Sequence, residues 1–172
     1  MHYEVEEDTL FLLDNIKPKG KIIEIGAGSG YISFYLGAHG FDVTATDIDD
    51  DAIEYMIKIA NEKNLNIKIV KSDLFKNITE KFDTIIFNPP YLPGNIEEDR
   101  AIFGGENGQE IIENFLRQAG EHLKNDGRIF IILSSYNDIQ KLKEKFSSFE
   151  FIERARKNFF FHSIFLYELK KI

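Results

Sequence analysis

The stretch Lys21-Ile22-Ile23-Glu24-Ile25-Gly26-Ala27-Gly28-Ser29-Gly30 joins a short apolar run to a turn in which every second residue is glycine. Such a run reads as a strand buried on both faces, and glycines directly after it let the backbone turn sharply. The pattern repeats downstream. The spacing predicts a helix over Ser29 to His39, a second strand over Phe41 to Asp47, and a helix over Asp49 to Lys63 with Asp49 as its N-cap. Asn66 to Lys71 reads as a third, weaker strand, whose poor alternation marks a sheet edge, and Phe82 to Phe87 as a strongly apolar fourth. Further on come a helix at Gln109 to Leu123, a fifth strand at Arg128 to Leu133 and a helix at Asp138 to Phe146. Two aromatic-rich strands, Phe149 to Arg156 and Phe160 to Leu169, are expected to pair antiparallel across a Lys157-Asn158 turn. Upstream, Glu7 to Ile16 has helical spacing and stops at Pro18 and Gly20. Alternating strands and helices of this kind predict an α/β fold, with helices on both faces of a mostly parallel sheet.

Composition bounds the function. A chain of 172 residues suits one domain, here residues 1–172 with a short leading helix. Lys plus Arg total 21 against 29 for Asp plus Glu, a balance of −8 that disfavours bulk nucleic-acid binding. With no cysteine, thiolate metal sites and thiol nucleophiles are excluded, and the four histidines are too scattered to predict a metal site. Glu4, Glu6, Glu7 and Asp8 near the N-terminus, and the lack of a long apolar stretch, predict no signal peptide, no membrane contact and a cytoplasmic location. Between Tyr91 and Asn107 periodicity lapses around Glu97-Glu98-Asp99 and the pair Gly104-Gly105. An aperiodic connection this long is expected to be a substrate loop. The run Phe159-Phe160-Phe161 is read as core and hairpin packing, and His122 and His162 as structural residues.

The glycine loop, with Asp47 at the end of the second strand, points to a nucleotide-like cofactor whose ribose hydroxyls a carboxylate can bind. A nicotinamide dinucleotide, a flavin and S-adenosylmethionine all remain open at this point. The spacing Gly-x-Gly-x-Gly differs from the Gly-x-Gly-x-x-Gly that seats a pyrophosphate, and Glu24 beside the loop favours a positively charged sulfonium. Asn88-Pro89-Pro90-Tyr91, directly after the fourth strand, discriminates further. Two prolines remove two backbone donors and fix φ, and Pro89 also holds Asn88 extended. The Asn88 side-chain oxygen and the Pro89 carbonyl can then accept both hydrogens of a planar –NH₂ group, with the Tyr91 ring against its plane.

On these residues the sequence resembles the class I S-adenosylmethionine methyltransferases that modify nitrogen, and more narrowly the HemK-type release-factor glutamine methyltransferases in their short archaeal and eukaryotic form. Glu7-Asp8-Thr9 is similar to the family's leading helix, Ser72-Asp73-Leu74-Phe75 to its segment after strand three, and Gly104-Gly105-Glu106-Asn107-Gly108 to its turn ahead of a helix. Val5 and Glu6 depart from the proline and small residue expected before Glu-Asp-Thr. The resemblance implies a Rossmann-like seven-stranded sheet with a C-terminal antiparallel pair. It implies S-adenosylmethionine held by Thr9, Glu24, Gly26, Ala27, Gly28, Ser29, Gly30, Asp47, Ile48, Asp73, Leu74 and Asn88, and S-adenosylhomocysteine as the product. Asn88, Pro89, Pro90 and Tyr91 would be catalytic, no metal would be needed, and the methyl acceptor would be the glutamine of a release factor's Gly-Gly-Gln loop. A small zinc-ribbon activator is the implied partner, docking on the edge strand 67–71. Two other readings remain: an N-methyltransferase acting on the exocyclic amine of adenine or guanine in RNA or DNA, and a catalytically silent scaffold.

Overall fold

The computed structural model describes residues 6–100, 102–105 and 108–172. Val5, Glu106 and Asn107, to which the sequence reading gave a place, lie outside the described residues. In chain order the elements are α1 (Glu7–Asn15), β1 (Lys21–Ile25), α2 (Tyr31–Ala38), β2 (Asp42–Asp47), α3 (Asp50–Glu62), β3 (Lys68–Lys71), β4 (Phe82–Phe87), α4 (Glu110–Ala119), β5 (Leu123–Ser134), α5 (Ile139–Lys145), β6 (Phe149–Asn158) and β7 (Ser163–Lys171). The seven strands form one sheet in the order β3-β2-β1-β4-β5-β7-β6. β3 through β5 run parallel, whereas β7 is antiparallel to both β5 and β6.

Alternation along the central strands sorts their side chains into two cores. Ile23, Ile25, Ile85, Phe87, Ile129, Ile131 and Leu133 face Ile111, Ile112, Phe115 and Leu116 of α4 and Leu142 of α5. Ile22, Val43, Ile86, Phe130 and Ile132 point the other way, against Leu12 of α1 and Ile32 and Leu36 of α2. Ala45, Met56 and Ala60 seat α3 over β2. Because β1, β4 and the second half of β5 are covered on both faces, apolar residues fill consecutive positions there, as at Ile22-Ile23, Ile85-Ile86-Phe87 and Ile129 to Leu133. No helix among the described residues is long and apolar enough to cross a membrane.

Three features differ from the sequence reading. The helix expected to reach Leu123 ends at Ala119, tightens into a 3₁₀ turn at Gly120–His122, and gives Leu123 to β5. Leu123 pairs with Phe82, and a register shift follows before Arg128 meets Thr84. The β6–β7 turn does not fall at Lys157-Asn158, because Lys157 pairs with Ile164 and Asn158 with Ser163; Phe159–His162 form the connection instead. There Phe159 packs back against the core as expected, but Phe160 and Phe161 are 93% and 84% exposed and are not core. Finally, the connection after β4 is pinned: the Gly94 N–H donates to Gly105 O (3.0 Å) and the Gly104 N–H to Leu92 O (2.9 Å).

Phe115 is fully buried and packs its ring 4.5 Å from that of Phe87 and 5.5 Å from that of Phe75. It couples α4 to the strand that carries Asn88. Phe115→Ala should cost about 3–5 kcal/mol, read as a lower urea midpoint at unchanged slope.

Candidate active site

Parallel strands bring their carboxyl ends to one edge of the sheet, where ligands of such folds bind. The residues that follow β1, β2, β3 and β4 therefore converge. After β1, the Ala27 N–H donates to Thr46 O and the Gly30 N–H to Ala27 O, both at 2.8 Å, closing the turn against β2. Gly28 has φ +54°, and a Cβ built on it meets nothing within 4 Å, so this side of the loop is open to an approaching group. Asp47 fastens the loop: its Oδ2 accepts from the Gly28 N–H (2.8 Å) and its Oδ1 from the Asp49 N–H (2.9 Å). A carboxylate has about four acceptor sites, so Asp47 keeps capacity for further donors.

Glu24 does not line the opening. It is buried, accepts from the Ser33 N–H (3.0 Å) and Oγ–H (2.5 Å), and so caps the first turn of α2. Burial, opposed by those two hydrogen bonds, pushes its carboxyl up to about 7. After β3, the Ser72 N–H donates to Asp47 O (2.8 Å), and Leu74 sits in the left-handed region at φ +51°. A leucine held there stores backbone strain at the rim. Asp73 is ion-paired with Arg100 at 2.6 Å, which ties the connection after β4 back to the end of β3. An open cleft of about 850 Å³ lies on that side, lined by Asp73, Asn95, Glu97, Arg100, Glu110 and Asn114 among others. Ile48 is exposed beyond β2, and Thr9 lies in α1, next to Asp8.

After β4, Asn88 presents a buried Oδ1 with no hydrogen-bond partner among the described residues. An unmade bond of this sort costs roughly 1–3 kcal/mol, so a polar atom kept in that state calls for an explanation. The backbone beyond it is held by glycines. A Cβ on Gly104 would lie 2.3 Å from Pro90 O, and one on Gly108, at φ +68°, would lie 2.2 Å from Tyr91 O. The two chains approach so closely that no side chain fits between them. Tyr91 then packs its ring 5.9 Å from that of His162. Burial, followed by the charges of Asp8 and Glu6 on the α1 side, pushes the Tyr91 hydroxyl up to about 12.

Sequence reasoning missed Asn137, Gln109 and His162. Buried Asn137 accepts from the Ser134 N–H (2.8 Å) and donates through Nδ2 to Gly108 O (2.8 Å), while Gln109 Oε1 accepts from the Asp138 N–H (2.9 Å). These bonds lock the glycine turn to the end of β5. The available signal was the cluster of polar residues Ser134, Ser135, Asn137 and Asp138 that ends the apolar run Ile129 to Leu133. His162 stacks near Tyr91, Tyr136 and Phe159, and its buried Nε2 has no partner among the described residues.

Two variants test this construction. Gly104→Ala adds only a methyl group against the Pro90 carbonyl and should destabilise the protein by about 1–3 kcal/mol, measured by urea unfolding. For Glu24, the folded state keeps its proton up to about pH 7 and the unfolded chain releases it near 4.5. Stability is therefore lost as pH rises through that window. Glu24→Gln is neutral throughout, so its stability relative to the natural protein should grow by roughly 3 kcal/mol between those pH values and then level off.

Known proteins share both sequence and fold with this chain. A Methanocaldococcus jannaschii chain, provisionally named a protein N5-glutamine methyltransferase, is 38% identical over 154 residues, covering 82% of this chain and 78% of its own. The release factor glutamine methyltransferase of Streptococcus pneumoniae is 33% identical over 135 residues, 71% of this chain, which spans 48% of that protein. In structure, a chain of the E. cuniculi Mtq2-Trm112 complex, responsible for methylation of the termination factor eRF1, aligns with TM-score 0.81 at 22% identity. That alignment covers 99% of this chain and 98% of the other, and shows the shared fold. With residues 1–161 matching the profile described as methyltransferase small domain, the chain belongs to that family of methyltransferases.

Proposed function

We propose that the protein methylates the side-chain amide nitrogen of the glutamine in the Gly-Gly-Gln loop of a peptide chain release factor, with S-adenosylmethionine as donor. The observation that carries this reading is the buried, unpartnered Oδ1 of Asn88, held at the end of β4 on a backbone braced by Gly104 and Gly108. The reactions of the relatives described above agree with it.

The residues present fit the cofactor. Gly26 to Gly30 would hold its methionine part against the open side of Gly28, Asp47 its ribose hydroxyls, and Asp73 with Leu74 its adenine, with Thr9 and Ile48 at the margins. Asp73 would then share its carboxylate between Arg100 and the base. When bound, S-adenosylmethionine supplies a methyl group on a positively charged sulfur.

Everything else is done by this chain. An amide nitrogen is a poor nucleophile because its lone pair is delocalised. Asn88 Oδ1 and the Pro89 carbonyl accept its two N–H groups, which aims the nitrogen and stabilises the positive charge it gains as the new N–C bond forms. Tyr91 covers the amide plane. The proton of the methylated amide leaves to water. A planar amino group on adenine or guanine offers the same two hydrogens, but Glu6 and Asp8 beside Tyr91, and a balance of −8, are a poor setting for polynucleotide phosphates.

The activator fits the other end of the sheet. β3 is an edge strand; Ile67 and Ile69 pack inward against the α2 and α3 side, which leaves the main chain with Lys68 and Lys71 for a zinc-ribbon protein adding a strand to 67–71. Release factors act in the cytoplasm, which is the compartment this reading implies.

Radiolabelled cofactor, incubated with a release factor or with RNA in the presence of the activator, identifies the acceptor. Asn88→Ala should retain cofactor affinity and lose roughly a hundredfold or more in methyl transfer to the factor; equal turnover by the variant, or label in the RNA alone, would overturn the assignment.

A further inference from the structure

The β6–β7 turn places two large apolar side chains in water at the edge of the sheet that carries Asn88. Phe160 and Phe161 are 93% and 84% exposed and lie edge to face, with ring centroids 4.8 Å apart. Scattered exposed apolar residues need no explanation, but an adjacent pair of rings on a hairpin tip is the kind of patch that marks an interaction site.

The tip is firmly rooted. β7 begins where β5 ends, with Ile164 opposite Ser134. The Phe159 N–H donates to His162 O (2.8 Å), the Ser163 N–H to Ser135 Oγ (3.0 Å), the Ser135 N–H to Ser163 O (2.9 Å), and Ser163 Oγ–H to Asn158 Oδ1 (2.7 Å). The residue after Phe161 is His162, whose ring stands 5.9 Å from that of Tyr91 and 5.5 Å from that of Tyr136, itself 39% exposed. Ring contacts thus run from the base of the tip, Phe159 and His162, to Tyr91 of the tetrapeptide. Beside Tyr91 the charged groups are acids, Asp8 and Glu6, while Lys157 near the turn is neutralised by Glu7 at 2.9 Å.

We propose that the Phe160-Phe161 tip is the docking anchor for the methyl-accepting protein, seating in an apolar recess beside the acceptor's glutamine loop while basic residues of that loop face Glu6 and Asp8. This rests on the proposed function and deepens it. Aromatic side chains have few rotatable bonds, so they bind at low entropic cost, and they dominate interface energetics. The anchor supplies affinity for an intact acceptor domain and leaves the chemistry at Asn88 untouched.

The test compares the natural protein with the double variant F160S/F161S, activator present, on two acceptors: an intact release factor and a short Gly-Gly-Gln peptide. The variant should raise KM for the intact factor roughly tenfold or more at unchanged kcat. With the peptide, kcat/KM should not change, and F160L/F161L should restore most of the affinity for the factor. An unaltered KM for the factor overturns the anchor, as does an equal loss on the peptide. A shift from dimer to monomer by light scattering, with KM unchanged, would assign the tip to a second copy of this chain and also overturns it. If the natural protein methylates neither acceptor, the functional reading itself has failed and the anchor falls with it.

Discussion

The close approach of two backbones organises the active edge of this protein. Gly104 and Gly108 come so near the carbonyls of Pro90 and Tyr91 that any side chain would overlap them. Proline alone stiffens a segment, since it fixes φ, but does not say where the segment sits relative to its surroundings. The glycine turn supplies that position. Asn137 then holds Gly108, and Gln109 holds Asp138, so the placement of Asn88 is referred through hydrogen bonds to the end of β5. The second half of β5, Ile129 to Ser134, is buried throughout and packed on both faces, which makes it a rigid reference. A polar atom can be left without a partner in a fold this tight only where the surrounding structure over-determines its position.

Much of this was legible in the sequence because it depends on local pattern. The bounds of β1 and β4 agree residue for residue with the apolar runs at 21–25 and 82–87, and Asp49 caps α3 by accepting from the Asp51 N–H (3.0 Å). Strands covered on both faces announce themselves by apolar residues at consecutive positions, and caps as single polar residues ahead of a helix. The edge position of the third strand was legible for a related reason: β3 pairs on one flank only and none of its residues is fully buried, so its apolar pattern is weak.

What was not legible depends on contacts distant in sequence. The connection after β4 looks aperiodic because its order comes from isolated backbone bonds, Gly94 to Gly105 and Gly104 to Leu92, that impose neither a strand's nor a helix's repeat on the side chains. Phe160 and Phe161 carry strand propensity and read as the start of the last strand, yet the pairing of Asn158 with Ser163 ends the register before they are reached and turns them into solvent, while Phe159 packs back on the core. Asn137 and His162 carry no motif; their significance arises only when the fold sets them against Gly108 and Tyr91. Asp47 is an intermediate case. Its place at the end of the second strand was readable, but not that its two oxygens would fasten the glycine loop.

The acids near the strand ends are tied into the fold by bonds within the chain. Glu24, Asp47 and Asp73 follow one another along the edge, and each is committed within the chain: Glu24 to Ser33, Asp47 to Gly28 and Asp49, Asp73 to Arg100. These bonds fix where the negative charge sits, so no reorganisation is required when a cation arrives, which is the condition under which fixed charges act most strongly. Glu24 contributes less charge than its position implies, because burial keeps its proton on to about pH 7, and its main work is to hold α2 against the loop. Asp47 and Asp73 remain partly open to solvent and keep acceptor capacity, with Arg100 offsetting the charge of Asp73, so Asp47 is the carboxylate whose charge this edge leaves least balanced.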